Sequence, residues 1–282
     1  MKKSLFALLL TSLFLGCSCS RQDGLSWRRV SMDGSRTGVT PIGVDNIPST
    51  LGTIDSLNYH APSGRTFEKG SATYAAASLL LAAQPAMSDV KTVLAHSTRE
   101  MMRHDYPESA LGDWYIDLLM REVERLAGKK VHFAITNFGG IRVDMPAGEV
   151  LKDDILSMFP FKNKLCYLEL EGRDIRALLE QLAAGRWQVV GGARCVVEDG
   201  CLVSVIIDGE PLEDDRVYGV ATISFLLDGG DDLHVARNAK KLEILPYYII
   251  DVVLPYVESL EAQGKPIEYE KDGRIIIRKK DE

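Results

Sequence analysis

From Leu111 to Val123 the apolar residues recur at helical spacing, with Leu111, Trp114, Tyr115, Leu118, Leu119 and Val123 on one face. Pro107-Glu108-Ser109 opens this helix and Gly128 stops it. An alanine-rich stretch, Ser71 to Gln84, predicts an earlier helix with Leu79, Leu80 and Ala83 on one face, which Pro85 should end. A third helix is predicted after Asp174, its cap, with Ile175, Leu178, Leu179 and Leu182 inward and Gly185 at its end. A fourth follows Pro246, with Pro255 as a kink. Strands are predicted at Val90 to Ala95, Val131 to Thr136 and Leu165 to Glu171. Further strands are predicted at Trp187 to Val190, Ala193 to Val197, Leu202 to Ile207 and Val217 to Thr222, with turn signals at Asp199-Gly200 and Asp208-Gly209. Ile267 to Arg278 reads as a hairpin around Asp272-Gly273. Helices and strands alternate irregularly, without an internal repeat. The fold class is therefore α/β with α+β character, a mixed sheet flanked by helices.

The start of the chain follows another logic. Lys2 and Lys3 precede a short apolar run, Leu5 to Leu15, too short to span a bilayer comfortably. The run ends in Phe14-Leu15-Gly16-Cys17, which resembles the lipobox of bacterial lipoproteins, where cleavage precedes an acylated cysteine. The expected organisation is a signal peptide over 1–16, a lipidated tether and extended lead-in over 17–70, and one domain over 71–282. Within the lead-in only Trp27 to Ser31 looks strand-like. Several acyl chains on Cys17 would anchor an exported protein to an envelope membrane. Of the other cysteines, Cys195 and Cys201 flank a turn signal and could form a disulfide, or each could be a small buried hydrophobe.

Net charge of −7 changes the picture in one respect: it argues against a nucleic-acid partner, which calls for a basic face. A small anion remains possible, because a few local arginines can hold one. Three loops carry the candidate chemistry. Asn137-Phe138-Gly139-Gly140-Ile141-Arg142 follows an apolar strand, and its glycines let backbone approach a ligand while Arg142 offers a planar fork. Taken alone it is equally a tight turn with a solvated arginine. Phe159-Pro160-Phe161-Lys162-Asn163 holds an aromatic that can stack on a flat ligand or plug the core beneath. Ser224 to Asp232 again combines an aromatic, Phe225, with two glycines and carboxylates.

In this order, with Glu108-Ser109-Ala110-Leu111-Gly112-Asp113 before them and Gly191-Gly192-Ala193-Arg194 between, these segments resemble the C-terminal domain of the bacterial 5'-nucleotidase/UDP-sugar hydrolase family. The resemblance implies that Phe161 and Phe225 sandwich a nucleobase and that Arg142 holds phosphate. It also implies that Asn137 contacts the ligand, that Asp231 accepts from sugar hydroxyls, and that Gly139, Gly140, Asn163 and Gly192 shape the pocket. The family's arginine-bearing stretch upstream of the Leu111-Gly112 helix start reads His104-Asp105-Tyr106-Pro107 here, with Arg99 and Arg103 slightly displaced.

Family hydrolysis depends on a separate metallophosphatase domain with two divalent metals. None of His60, His96, His104, His132 and His234 lies in an Asn-His-Glu or Gly-His-x-His cluster, and Asp232-Leu233-His234 spells a ligand pair without partners. No catalytic residue, metal site or cofactor is thus expected in this chain. The expected function is nucleotide recognition for a 5'-nucleotidase-type system at the cell envelope, working with a separate metallophosphatase chain. The alternative is a non-catalytic nucleotide- or nucleoside-binding lipoprotein. Cys17→Ala is expected to shift the protein from the membrane to the soluble fraction, and a variant that still sediments with membranes after a salt wash rules the anchor out.

Overall fold

The computed structural model describes residue 42 and residues 45–279. Cys17, the signal segment and the strand predicted at Trp27 to Ser31 lie outside the described residues. Residues 47–68, assigned by pattern to the extended lead-in, contain a short helix α1 (Ile47–Leu51) and a small antiparallel sheet of β1 (Thr53–Ile54), β2 (Asn58–His60) and β3 (Thr66–Glu68). Helix α2 (Ala72–Val90) is capped by Ser71, whose hydroxyl accepts the Tyr74 N–H at 3.2 Å. Pro85 does not end it. The helix runs on through the proline, and Gln84 Nε2 and Ser88 Oγ donate to the carbonyls of Leu80 and Gln84 beside the interruption.

The remainder runs in order through β4 (Val93–Ser97), α3 (Ala110–Ala127), β5 (Phe133–Thr136), β6 (Gly148–Leu151), α4 (Lys152–Met158), β7 (Lys164–Glu171) and α5 (Gly172–Ala184). It continues with β8 (Val189–Gly191), β9 (Ala193–Glu198), β10 (Cys201–Ile207), β11 (Glu210–Pro211), β12 (Val217–Ile223), β13 (Lys241–Tyr248), α6 (Ile249–Ala262) and β14 (Ile275–Arg278). A five-stranded sheet has the order β13-β7-β12-β5-β8, and only the β12–β5 pair is parallel. A second sheet has the order β11-β10-β9-β14, and β4 pairs with β6. The mixed α/β class follows. Helix α3 lies against β5, β7, β8 and β12, burying Leu111, Trp114, Tyr115, Ile116, Leu118, Leu119 and Val123, and ends on left-handed Gly128. Among the described residues no helix is long and apolar enough to cross a membrane.

Two further expectations need correction. Asp174 is not a cap: α5 starts earlier, at Gly172, where the carbonyls of Arg216 and Asp214 accept the first N–H groups, of Gly172 and Arg173, at 2.9 and 3.0 Å. Asp174 instead accepts from Asn238 Nδ2 at 2.7 Å. The helix expected after Pro246 is α6, with Pro255 inside it, and the stretch before it is an edge strand, β13, where a proline is tolerated because one side of the strand needs no donors. The chain end is no hairpin: β14 pairs in parallel with β9, while Ile267 bridges to Ser97. The disulfide reading of Cys195 and Cys201 fails, and the buried-hydrophobe reading holds for Cys195 alone, since Cys201 is exposed. Both are free thiols, since Cys195 faces Val205 across the hairpin and Cys201 faces Glu198.

The pull on the chain end comes from a buried charged cluster. Arg274 donates to both oxygens of Asp117 at 2.8 and 2.9 Å and to Asp272 at 3.0 Å, with Asp113 at 3.7 Å. Glu108 accepts the N–H groups of Gly273 and Ile275. Burial pushes the Asp113 carboxyl up to about 8, against the pull of Arg274 and with the neighbouring Glu108 carboxyl adding to the rise. Above the ordinary carboxyl range and up to about pH 8, the folded chain therefore holds a proton that the unfolded chain has released. The stability this contributes is complete at acid pH and drains away as pH climbs through that window. Asp113→Asn is expected to flatten the fall in melting temperature between about pH 5 and about pH 8 in thermal denaturation. An unchanged slope would remove Asp113 as its source.

Candidate functional site

Parallel β5 and β12 end at the same edge of the large sheet, and β7, antiparallel to β12 with Ile223 opposite Leu165, starts there. The turn after β5, the loop before β7 and the turn after β12 therefore meet, although they are far apart in sequence. They enclose a cavity of about 280 Å³ lined by Asn137, Gly139, Gly140, Arg142, Phe161, Asn163, Phe225 and Asp231. Eight of the nine pocket residues expected from the sequence converge on this cavity. Gly192 does not. It follows β8, which runs antiparallel to β5 and so ends at the far edge of the sheet. There it lines a different cavity of about 540 Å³, and its left-handed backbone (φ +73°) lies where a Cβ would be 2.2 Å from the His132 carbonyl. Its glycine serves backbone packing.

Phe161 and Phe225 are 46% and 44% exposed, which leaves apolar surface available at the cavity. Phe159, two residues before Phe161, is the one that plugs the core, packing on Tyr115 with ring centroids 4.6 Å apart. The Arg142 guanidinium stands 5.7 Å from the Phe161 ring centre, and its Nη1 donates to the Gly139 carbonyl at 3.2 Å. One wall is a direct link that the sequence did not disclose: Asn137 Nδ2 donates to Asp231 Oδ2 at 2.8 Å. Asn137 is 4% exposed, and its Oδ1 is buried without a protein partner.

Backbone links tie the loops together. Ser224 Oγ accepts the Lys164 N–H at 3.0 Å, joining the two aromatic loops, and the Met158 carbonyl accepts the Arg142 N–H at 3.0 Å. Gln188 Oε1 accepts the Phe138 N–H at 3.0 Å and holds the glycine turn. Ser224 opens the third candidate loop without a role assigned to it, and Gln188 carries no motif, so nothing in the sequence marked either as a tie between loops.

Residues 89–237, more than half of the chain, match the family described as 5'-nucleotidase, C-terminal domain. The chain belongs to that family. Among relatives of this 5'-nucleotidase C-terminal domain, Protein UshA of Yersinia enterocolitica is 27% identical over 175 residues, covering 57% of this chain and 30% of its own length. A 5'-nucleotidase of Vibrio cholerae is 32% identical over 157 residues, covering 53% and 28%. The crystal structure of a 5'-nucleotidase precursor from Thermus thermophilus superposes with a TM-score of 0.62 at 26% identity, covering 72% of this chain and 43% of that one. The chain thus spans less than half the length of these relatives.

The family resemblance implies two divalent metals for hydrolysis. Among the described residues, Glu108, Asp113 and Asp272 bring carboxylate oxygens within 4.8 Å of one another. They do not fit such a centre. Both Glu108 oxygens accept backbone N–H groups, and Arg274 already supplies the cation. His234 pairs with Asp228 at 3.2 Å.

Two glycines matter sterically at the cavity. A Cβ on Gly140 would sit 2.8 Å from Asn137 Oδ1, and one on Gly139 would sit 3.3 Å from Nδ2. Gly140→Ala is expected to push the Asn137 amide off Asp231 and lower stability by about 1 kcal/mol, the worth of one hydrogen bond. Thermal denaturation and a crystal structure of the variant check both, and an intact Asn137–Asp231 bond in the variant would contradict the steric account.

Proposed function

We propose that this protein recognises a nucleotide for a 5'-nucleotidase-type hydrolase system at the cell envelope, held there by a lipid on Cys17. The observation that carries this reading is the convergence of Phe161, Phe225, Arg142, Asn137 and Asp231, from three separate loops, on one cavity. The half-exposed rings offer two faces for a base. Arg142 offers a charge-assisted contact to phosphate, and the Asp231 carboxylate accepts sugar hydroxyls. A cavity of about 280 Å³ lies just below the roughly 300 Å³ at which small-molecule sites begin, and it is open to solvent where the two rings stand. In this reading phosphoryl transfer belongs to a separate metallophosphatase, whose two metals would activate water and clamp the phosphoryl oxygens. This chain binds and orients the nucleoside end.

Isothermal titration of the purified protein with a panel of nucleosides and 5'-nucleotides tests the reading. Phe161→Ala and Phe225→Ala are each expected to weaken a nucleobase ligand by about tenfold, the stacking contribution of one aromatic. Arg142→Ala is expected to cost nucleotides more affinity than nucleosides. Binding that is indifferent to both rings would exclude the base sandwich.

A further inference from the structure

Asp231 stands at the tip of a strained loop. It and Asp232 are consecutive non-glycine residues in the left-handed region, at φ 50° and 61°. Such a backbone is unfavourable for a residue with a side chain unless its surroundings hold it. The loop closes on itself through the Gly229 N–H, which donates to the Leu233 carbonyl at 2.7 Å. On the pocket side Asp231 has the Asn137 amide. Leu233, just past the tip, is buried in the core. The loop backs onto an open cavity of about 410 Å³ lined by Leu170, Asp174, Gln181, Asp232, His234 and Asn238 among others. One side chain from helix α5 reaches the loop with a hydrogen bond: Gln181 Nε2 donates to the Asp232 carbonyl at 2.9 Å.

We infer that Gln181 is a positioning residue for Asp231, and that through it the pocket distinguishes ligands bearing sugar hydroxyls from ligands lacking them. Gln181 lies outside the ligand cavity and touches no ligand. Its amide fixes the Asp232 peptide, and with it the left-handed pair that aims the Asp231 carboxylate inward. Without that strut the loop relaxes toward right-handed backbone, and the carboxylate loses its aim while the aromatic walls, carried on other residues, keep theirs. The ligand side of this inference rests on the nucleoside reading above. The loop side does not.

The test uses Gln181→Leu, which removes the amide from an exposed helix position at similar size, and the double variant Gln181→Leu/Asp232→Gly. Glycine adopts the left-handed backbone without strain and should make the strut dispensable. Titrations use adenosine and 2',3'-dideoxyadenosine. The single variant is expected to bind adenosine roughly three- to tenfold more weakly, the loss of one hydrogen bond. Dideoxyadenosine affinity should stay within about twofold, and the double variant should regain adenosine affinity. Equal weakening of both ligands, no weakening, or no rescue overturns the inference. If the unmodified protein binds neither probe, the nucleoside reading fails and amide hydrogen exchange decides the rest. Exchange at Gly229 and Leu233 should quicken in the single variant and return in the double one. Unchanged exchange overturns the strut as well.

Discussion

Strand β12 is bonded in parallel to β5 on one side and in antiparallel register to β7 on the other. This arrangement fixes where three chain segments go. Two strand ends and one strand start must emerge at the same edge of the sheet, whatever their sequences. The segments that emerge carry the glycine turn with Arg142, Phe161 with Asn163, and Phe225 with Asp231. Reversing either pairing would send one loop to the opposite edge and leave two thirds of a pocket. The pairing is itself secured from below, where Val220 and Ala221 of β12 lie fully buried opposite Phe133 and Ala134 of β5. Thr222 Oγ1 donates to the Ile135 carbonyl at 2.9 Å between the same strands.

Much of the site was readable because loop chemistry leaves plain marks. Glycines that let backbone close up, an aromatic after a proline and an acidic Gly-Gly turn are unusual in combination, and they sit where strands stop. Direction was harder to read. Gly192 also sits in a Gly-Gly turn at a strand end, yet the antiparallel sense of β8 carries it away from the pocket, and strand sense is not written in a single strand's composition. The partner of Asp231 was hidden for a related reason, since Asn137 lies 94 positions away and only the sheet brings the two together.

The errors in the fold have local causes. Pro85 was read as a stop, but within an exposed helix one missing N–H is tolerable when neighbouring side chains serve nearby carbonyls. Asp272-Gly273 carries a hairpin's turn signal, and Gly273 does take a left-handed backbone. The residues beyond it do not fold back on Ile267, because Arg274 is drawn into the Asp113–Asp117 cluster and β9 offers an open edge. A short-range signal lost to a buried ion cluster and a longer ladder.

The parallel seating of β14 on β9 bears on how the molecule is made. A ribosome delivers β9, β10 and α3 long before Arg274 and Ile275, so the nascent protein carries an open sheet edge and two buried-to-be carboxylates, Glu108 and Asp113, awaiting their partners. Translation that stalls or stops short of Arg274 would release a body whose ligand loops are complete but whose helix α3 keeps a cluster of uncompensated acids, a form that quality-control proteases are built to find.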